Sequence, residues 1–420
     1  MIKQKVEVIN LGCRLNIYEG EVIKSLTSKT NLTDYVIINS CAVTAEAEKK
    51  TQYEIRKAKK NFPSRKIVLT GCAAQINPNK YSANNEIDYI IGNNEKLDFK
   101  TWLEIKDSKS IQVENIFNKT QKDYPVIEKF EGKSRAFIEI QKGCDHRCTF
   151  CIIPYGRGNN VSTPAGIIVD RINLLVANGY KEIVLTGVDI TDYGKDLPGK
   201  PNLFQLIKRI FNLVPGLKQL RLSSIDCAEI QDDFWSLLSD KRLMPHFHLS
   251  LQSGNNLILK RMKRRHSREQ AIDFCNKVRR IRNDVVFGAD LIAGFPTETD
   301  KMFEDSIALI DHCDLTHLHV FPYSPRDLTP ASKMPQLSKK VIKERANKLR
   351  TYGEKKFLMY LKEQVGKKTT MLVEKNDYSG SFGKNQYFTK MYIEKKLPIG
   401  SIVNCEIYKV KEKLLQAKLI

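Results

Sequence analysis

Residues 143–158, GCDHRCTFCIIPYGRG, set Cys144, Cys148 and Cys151 in a CxxxCxxC spacing directly after an apolar, strand-like run at 136–140. Three soft sulfur donors gathered in one short loop suit an iron–sulfur cluster or another thiophilic metal. Three ligands to a four-iron cube would leave one iron open to a substrate or cofactor. The spacing alone also leaves a structural zinc site open, because the nearby His146 offers a fourth ligand for a tetrahedral metal.

Outward from this loop the chain alternates strand and helix patterns. Strands are predicted at 136–140, 182–186, 219–223, 246–251, 285–292 and 317–321, with helices at 165–178, 203–212, 268–281 and 301–312. Six strands with right-handed helical crossovers predict a partial (β/α)6 barrel over residues 134–345, with its chemistry at the C-terminal ends of the strands. Upstream, over residues 1–95, strands at 5–10, 35–39 and 66–70 alternate with helices at 17–26 and 45–60, which predicts a small parallel α/β unit. Residues 96–133 are rich in Lys, Asp, Asn and Gln and read as a connector. From 355 to 420 short runs at 369–374, 387–393 and 402–410, punctuated by Gly380, Gly383 and Gly400, predict a small β-barrel. An α/β chain of 420 residues in several units is what this length leads one to expect.

The first unit carries a second cysteine pattern. Cys13 follows VINLG, Cys41 follows VIINS and Cys72 follows IVLTG, so each stands just past a predicted strand. In a parallel sheet such ends share one edge, and three distant residues can meet there as a second three-thiolate site. The plainer alternative is three small apolar side chains that happen to fall in turns. Cys227, Cys275, Cys313 and Cys405 stand singly and read as structural. Ten cysteines in 420 residues are no disulfide framework, and a reducing cytoplasm is the expected home. The opening MIKQKVEVINLGC lacks the apolar core and cleavage site of a signal peptide, and no apolar run is long enough to predict a membrane span.

Charge points to a polyanionic partner. Lys and Arg number 69 against 48 Asp and Glu, a formal +21, and residues 341–420 alone hold 18 basic against 8 acidic side chains. Residues 257–268 contain no acid, so Lys260, Arg261, Lys263, Arg264, Arg265 and Arg268 are candidate phosphate contacts, a solvated helix face being the alternative. Arg326 is a further candidate. Lys384, Tyr387 and Lys390 offer base stacking beside positive charge, and strand alternation would turn Tyr387 and Phe388 to opposite faces.

These motifs together resemble those of the radical S-adenosylmethionine methylthiotransferases that act on tRNA. The resemblance rests on LGCRLNIYE, INSCAVT, LTGCAAQ and GCDHRCTFCIIPYGRG, with LTGVDITDYG, HLSLQSGNNLILKRMKRR, GADLIAGFPTETD and HVFPYSPRDLTPASKM beside them. It is nearest to the branch that modifies N6-threonylcarbamoyladenosine at tRNA position 37. It implies a 4Fe-4S cluster on Cys144, Cys148 and Cys151 that binds S-adenosylmethionine and yields a 5′-deoxyadenosyl radical, which abstracts hydrogen from C2 of the adenine. It implies a second 4Fe-4S cluster on Cys13, Cys41 and Cys72 that presents the sulfur to be inserted and methylated. Phe150, Gly187, Asp189, Gln252, Ser253, Gly294, Phe295 and Pro296 fall where such enzymes contact the cofactor. The C-terminal unit would be a TRAM-like RNA-binding barrel, and the implied partners are the tRNA anticodon stem-loop and an unidentified one-electron reductant.

Two segments depart from the family's pattern: Leu328 stands where a glycine is usual, and Asn159, Asn160 and Val161 replace a more arginine-rich run. Isopentenyl-adenosine in tRNA and a ribosomal-protein aspartate are alternative acceptors for the same chemistry. A non-catalytic tRNA-binding protein with structural metal sites is the alternative of a different class.

Overall fold

The computed structural model describes residues 6–118 and 125–420. The N-terminal runs form β1 (Glu7–Asn10), β2 (Tyr35–Ser40), β3 (Lys66–Gly71), β4 (Tyr89–Ile91) and β5 (Ile111–Gln112), a parallel sheet in the order β1-β2-β3-β4-β5. Strand β2 is buried along its whole length, as a parallel strand covered on both faces should be. The helix Arg14–Ser28 covers one face with Tyr18, Val22, Ile23 and Leu26. Each such side chain contributes about 1.5–3 kcal/mol on burial. On the other face, the helix Ala45–Asn61 starts at Thr44, whose hydroxyl accepts from the Ala47 amide at 3.1 Å, and it buries only Thr51, Ile55 and Ala58.

This sheet does not end near residue 95. Ile111 pairs with Ile90, and Trp102 is fully buried with its indole N–H on the Lys96 carbonyl at 2.9 Å. Residues 96–118 of the expected connector therefore build onto the first unit, residues 119–124 lie outside the described residues, and Phe130 beyond them donates its amide to Tyr180 of the central unit at 2.7 Å. A two-residue strand in a polar setting has no periodicity to reveal it.

The central unit begins with β6 (Ala136–Glu139) and the short hairpin β7 (Gln141–Lys142) and β8 (Val161–Ser162). It continues through β9 (Glu182–Thr186), β10 (Gln219–Leu222), β11 (Ser224–Ile225), β12 (His246–Gln252), β13 (Val286–Ala293) and β14 (Leu315–Pro322). Pairing runs β10-β9-β6 and β11-β12-β13-β14, with β10 and β11 separated only by Ser223. All these barrel pairings are parallel, so the wall is the expected partial barrel, open between β6 and β14. The N-terminal unit covers the opening. Arg326, after β14, donates to Glu48 at 2.6 Å and to the Ala42 carbonyl, and the Ala45 amide donates to Ser324 Oγ at 3.2 Å.

A long helix, Lys339–Glu363, leads to β15 (Lys368–Asn376), β16 (Ser381–Asn385), β17 (Lys390–Ile393), β18 (Ile402–Lys411) and β19 (Leu414–Leu419). These close into a barrel in the order β15-β16-β17-β19-β18, filled by Met371, Val373, Met391, Ile393, Cys405, Ile407 and Leu415. Closure leaves no free edge.

Tyr387 and Phe388 do not lie in a strand, which removes the alternation argument. They occupy the turn from β16 to β17, and Phe388 has φ +64°. Phe388 enters the floor of the central barrel, its ring 5.7 Å from that of His246. The guanidinium groups of Arg14, Arg135 and Arg221 stand 5.4, 5.3 and 4.9 Å from its centroid, and Lys384 Nζ stands 3.4 Å from it. Cation–π attraction holds this aromatic plug among positive charges.

Candidate active site

Cys13, Cys41 and Cys72 stand past the C-terminal ends of β1, β2 and β3, each as a free thiol. Two glycines let the strand ends close in. A Cβ on Gly12 would meet Cys41 Cβ at 2.7 Å, and one on Gly71 would lie 2.4 Å from the Ser40 carbonyl oxygen; φ is +94° and +93°. We expect Gly71→Ala to lower the thermal midpoint, since left-handed backbone costs a non-glycine residue about 1–2 kcal/mol before the clash is counted. Iron analysis after anaerobic reconstitution should read about four per chain rather than about eight if only this site is lost.

The second set sits on the loop between the β7–β8 strands, and its neighbours come from the far ends of the barrel. The Cys144 amide donates to the Gly158 carbonyl at 3.1 Å, and the Cys151 amide to that of Cys148 at 3.0 Å. The Thr149 amide donates to the Met262 carbonyl at 3.1 Å, and the Thr149 carbonyl accepts from Ala331 at 2.9 Å. The loop is thus pinned by segments that follow β12 and β14, at the C-terminal rim.

Burial dominates the thiols. It pushes Cys41 up to about 11, while Cys144 and Cys151 are each pushed up to about 12. Such thiols keep their protons at neutral pH unless a metal replaces them. A guanidinium flanks one sulfur in each set: Arg157 Nε is 3.2 Å from Cys72 Sγ, and Arg264 Nη1 is 3.7 Å from Cys148 Sγ. Three sulfurs beside a fixed positive charge fit an anionic, thiolate-held cluster. His146 turns toward carboxylates. Its Nε2 lies 3.1 Å from Asp189 and 2.6 Å from Asp192, although Cys144, His146 and Asp189 do approach one another within 4.8 Å. Burial disfavours the imidazolium, but the two carboxylates prevail and push the pKa up to about 9.

Arg157 ties the segment leaving the second loop to the first cysteine set. It ends the short helix Ile153–Arg157 that leaves the second loop, is 3% exposed in its side chain, and reaches across to Glu19 at 2.9 Å and Asn16 at 2.5 Å. Glu19 also accepts from Lys96 at 2.7 Å, and Lys96 donates to Asn93 at 2.7 Å. Burial opposes the Glu19 carboxylate, yet Arg157 and Lys96 hold its pKa down to about 2. A Cβ on Gly156 would lie 3.2 Å from Cys72 Cβ, so the segment leaving the second loop packs against the first cysteine set. Arg157, Glu19 and Lys96 escape a search for thiolate ligands because none carries sulfur; the GRG closing the loop and the NIYE after Cys13 are their traces.

The remaining expected site residues divide sharply. Gly187 approaches the Gln141 carbonyl so closely that a Cβ would sit 2.7 Å from it, and Asp189 accepts from Thr191 at 2.5 Å as well as from His146. Gln252 ends β12 with φ +71°. Ser253 is turned away from the expected ribose contact, buried with its Oγ 3.4 Å from Ser306 Oγ and accepting from the Asn255 amide at 3.2 Å. Phe150 packs beside Ile258, Met262, Ile292, Phe295 and Tyr323, and Pro296 is buried. The Gly294 amide donates to Glu298 at 3.0 Å, and its positive φ lets it lie against Ile342.

Most of the expected RNA contacts in the basic segment are turned inward. Arg264 bonds Asp226 at 2.8 Å, Arg265 bonds Asp226 at 3.1 Å and Glu229, and Arg261 bonds Thr297 at 2.8 Å. Arg268 caps the Gly254 and Asp305 carbonyls at 3.1 and 3.0 Å, and of the six only Lys260 and Lys263 are exposed. The acids that claim these arginines come from other loops. Arg326 is likewise spent on Ala42 and Glu48, Lys384 lies on Phe388, and Tyr387 packs against the small barrel's core, while Lys390 is exposed. Leu328 is exposed with φ outside the left-handed region, so a glycine's freedom is not needed there. Asn159 and Asn160 brace the loop, accepting from Arg147 at 2.5 Å and Gln141 at 2.7 Å.

A partial parallel barrel with a three-cysteine loop on its rim defines a radical S-adenosylmethionine protein, and residues 138–310 match the Radical SAM superfamily. Residues 5–92 match the family described as Uncharacterized protein family UPF0004. The chain is 48% identical to threonylcarbamoyladenosine tRNA methylthiotransferase MtaB of Rickettsia prowazekii, over 99% of this chain and 97% of that one. It is 33% identical to the MtaB of Aquifex aeolicus, over 93% and 96%, and 29% identical to tRNA-2-methylthio-N(6)-dimethylallyladenosine synthase of Neorickettsia sennetsu, over 96% and 90%. The chain belongs to the MtaB family of threonylcarbamoyladenosine tRNA methylthiotransferases. In fold it is similar to the radical S-adenosylmethionine methyltransferase TsrM of Kitasatospora setae, with a TM-score of 0.56 and 14% identity over 79% of this chain and 77% of that one.

Proposed function

We propose that the chain inserts a methylthio group at C2 of N6-threonylcarbamoyladenosine at position 37 of tRNA, in the cytoplasm. The observation that carries this reading is a second three-cysteine set, Cys13, Cys41 and Cys72, against which the segment leaving the 144–151 loop packs through Arg157. One radical-generating site would not need a second sulfur set beside it; insertion of sulfur at an unactivated C–H bond does. Cys144, Cys148 and Cys151 would hold one 4Fe-4S cluster and Cys13, Cys41 and Cys72 the other. When bound, the first supplies one-electron cleavage of S-adenosylmethionine and the second supplies the sulfur.

The chain's own residues do the positioning. Arg264 and Arg157 place fixed positive charge beside one sulfur of each set. Asp189 and Gln252, at the ends of β9 and β12, stand on the rim where the cofactor's polar groups would bind. Arg326 and Glu48 keep the N-terminal unit over the barrel's open side, which excludes water from a radical reaction. No helix among the described residues is long and apolar enough to cross a membrane.

The test is the reconstituted protein with S-adenosylmethionine, a one-electron reductant and an anticodon stem-loop bearing threonylcarbamoyladenosine. Mass spectrometry should find the 2-methylthio nucleoside. Zinc without iron in the reconstituted protein, or a stem-loop left unmodified while its dimethylallyl counterpart reacts, would overturn the reading.

The C-terminal barrel should contribute a salt-sensitive part of tRNA binding. Deleting it would uncover the floor that Phe388 plugs, so charge neutralisation is the cleaner probe. Lys390, Lys395 and Lys396 are exposed. Changing all three to Ala should weaken tRNA binding and flatten the plot of log K against log salt by up to about three phosphate contacts, each worth a slope of about 0.7–0.9. An unchanged slope would move the contact surface to Lys260 and Lys263.

A further inference from the structure

The floor of the barrel holds one arginine that the fold leaves without an anion. Arg14 follows Cys13 directly and opens the helix Arg14–Ser28, which has no acidic residue in its first turn and no side-chain N-cap. A positive charge at that end opposes the helix dipole. Among the described residues no carboxylate lies within ion-pair distance of Arg14; its guanidinium faces the Phe388 ring at 5.4 Å.

The acids nearest to it are already held by other cations. Glu182 takes Arg135 at 2.5 Å and Arg221 at 3.0 Å, Glu374 takes Arg135 at 2.6 Å, and Asp290 is held by His248 at 2.9 Å and His319 at 3.2 Å. Lys384, across the Phe388 ring, also makes no ion pair among the described residues. Burial first, then Arg221 and Arg135, bring the Arg14 pKa down to about 10, which still leaves a full cation at neutral pH.

The geometry points to Arg14 as the receptor for the free carboxylate of the threonylcarbamoyl arm on the substrate adenine, with Lys384 as a second cation behind the Phe388 ring. This rests on the proposed function above. Consecutive Cα atoms are about 3.8 Å apart, so the residue that would hold the sulfur-donating cluster and the residue that would hold the arm move as one unit. The arm leaves the six-membered ring that contains C2, and its carboxylate lies a few bonds away. A guanidinium suits a carboxylate through paired N–H donors. An uncharged dimethylallyl arm would leave the half-buried Arg14 unpaired, which selects against it.

The test uses the full-length protein, reconstituted anaerobically, and two anticodon stem-loops. One carries threonylcarbamoyladenosine and the other its primary amide, neutral and nearly the same shape. The wild type should prefer the carboxylate by about tenfold or more in kcat/KM. Arg14→Gln should bring that ratio close to one, mainly through KM, and Arg14→Lys should keep most of it. A wild-type preference preserved in Arg14→Gln, or a wild type that accepts both stem-loops alike, overturns the assignment while leaving the proposed function standing. Equal collapse of Arg14→Gln and Arg14→Lys on both stem-loops assigns Arg14 a role in folding and overturns it too. A wild type inactive on both stem-loops but active on a dimethylallyl one overturns the proposed function and this assignment with it.

Discussion

Alanine at Cys144, Cys148 or Cys151 is expected to abolish 5′-deoxyadenosine formation, and methylthio product with it. Alanine at Cys13, Cys41 or Cys72 is expected to abolish the product while 5′-deoxyadenosine still forms. The division follows from placement. The first three share a loop on the C-terminal rim of the central barrel, pinned to Met262 and Ala331, whereas the other three end strands of a separate sheet. Losing one of three sulfur ligands removes a cluster, and each set serves its own. Measuring 5′-deoxyadenosine and modified nucleoside in the same reactions reads both halves. Full methylthio product from the Cys13 variant would sink the sulfur-donor assignment.

The second large effect is expected at Arg157. Its guanidinium is buried against Glu19, Asn16 and the Cys72 sulfur, and its replacement by Met leaves Glu19 with Lys96 alone in a site closed to water. Removing one partner of a buried ion pair costs about 3–5 kcal/mol. Because Arg157 reaches from the radical loop into the N-terminal unit, the loss should appear as a lower thermal midpoint and as poor iron loading at the Cys13, Cys41 and Cys72 site. Arg326→Gln, at the other tie between the units, leaves Glu48 with Lys80 at 3.0 Å near the surface and should cost less. An Arg157→Met protein with wild-type midpoint and iron content would show that the bridge does not organise the site.

Much of this architecture is legible in the sequence because its signals are local. The runs that become β2, β3, β9, β12 and β13 are apolar and rich in β-branched or aromatic residues, and the cysteines stand immediately beyond strands, where a parallel sheet gathers its ends. What escaped is long-range. Arg264 and Arg265 look like a solvent-facing basic run until Asp226 and Glu229 are brought across to them. The same holds for Arg326 and Glu48, nearly three hundred positions apart. Phe388 reads as strand by hydropathy, but its place is decided by four cations from three units of the chain. Strand β5 is too short to carry a pattern at all.

The central claim is that threonylcarbamoyladenosine at position 37 is the nucleoside this chain methylthiolates. The most direct test is quantitative nucleoside mass spectrometry of tRNA from cells lacking the gene and from the same cells complemented with it. The account predicts that 2-methylthio-threonylcarbamoyladenosine disappears, that its unmethylthiolated parent accumulates, and that complementation reverses both. Unchanged 2-methylthio-threonylcarbamoyladenosine, with loss instead of the methylthio group from dimethylallyladenosine, would contradict it.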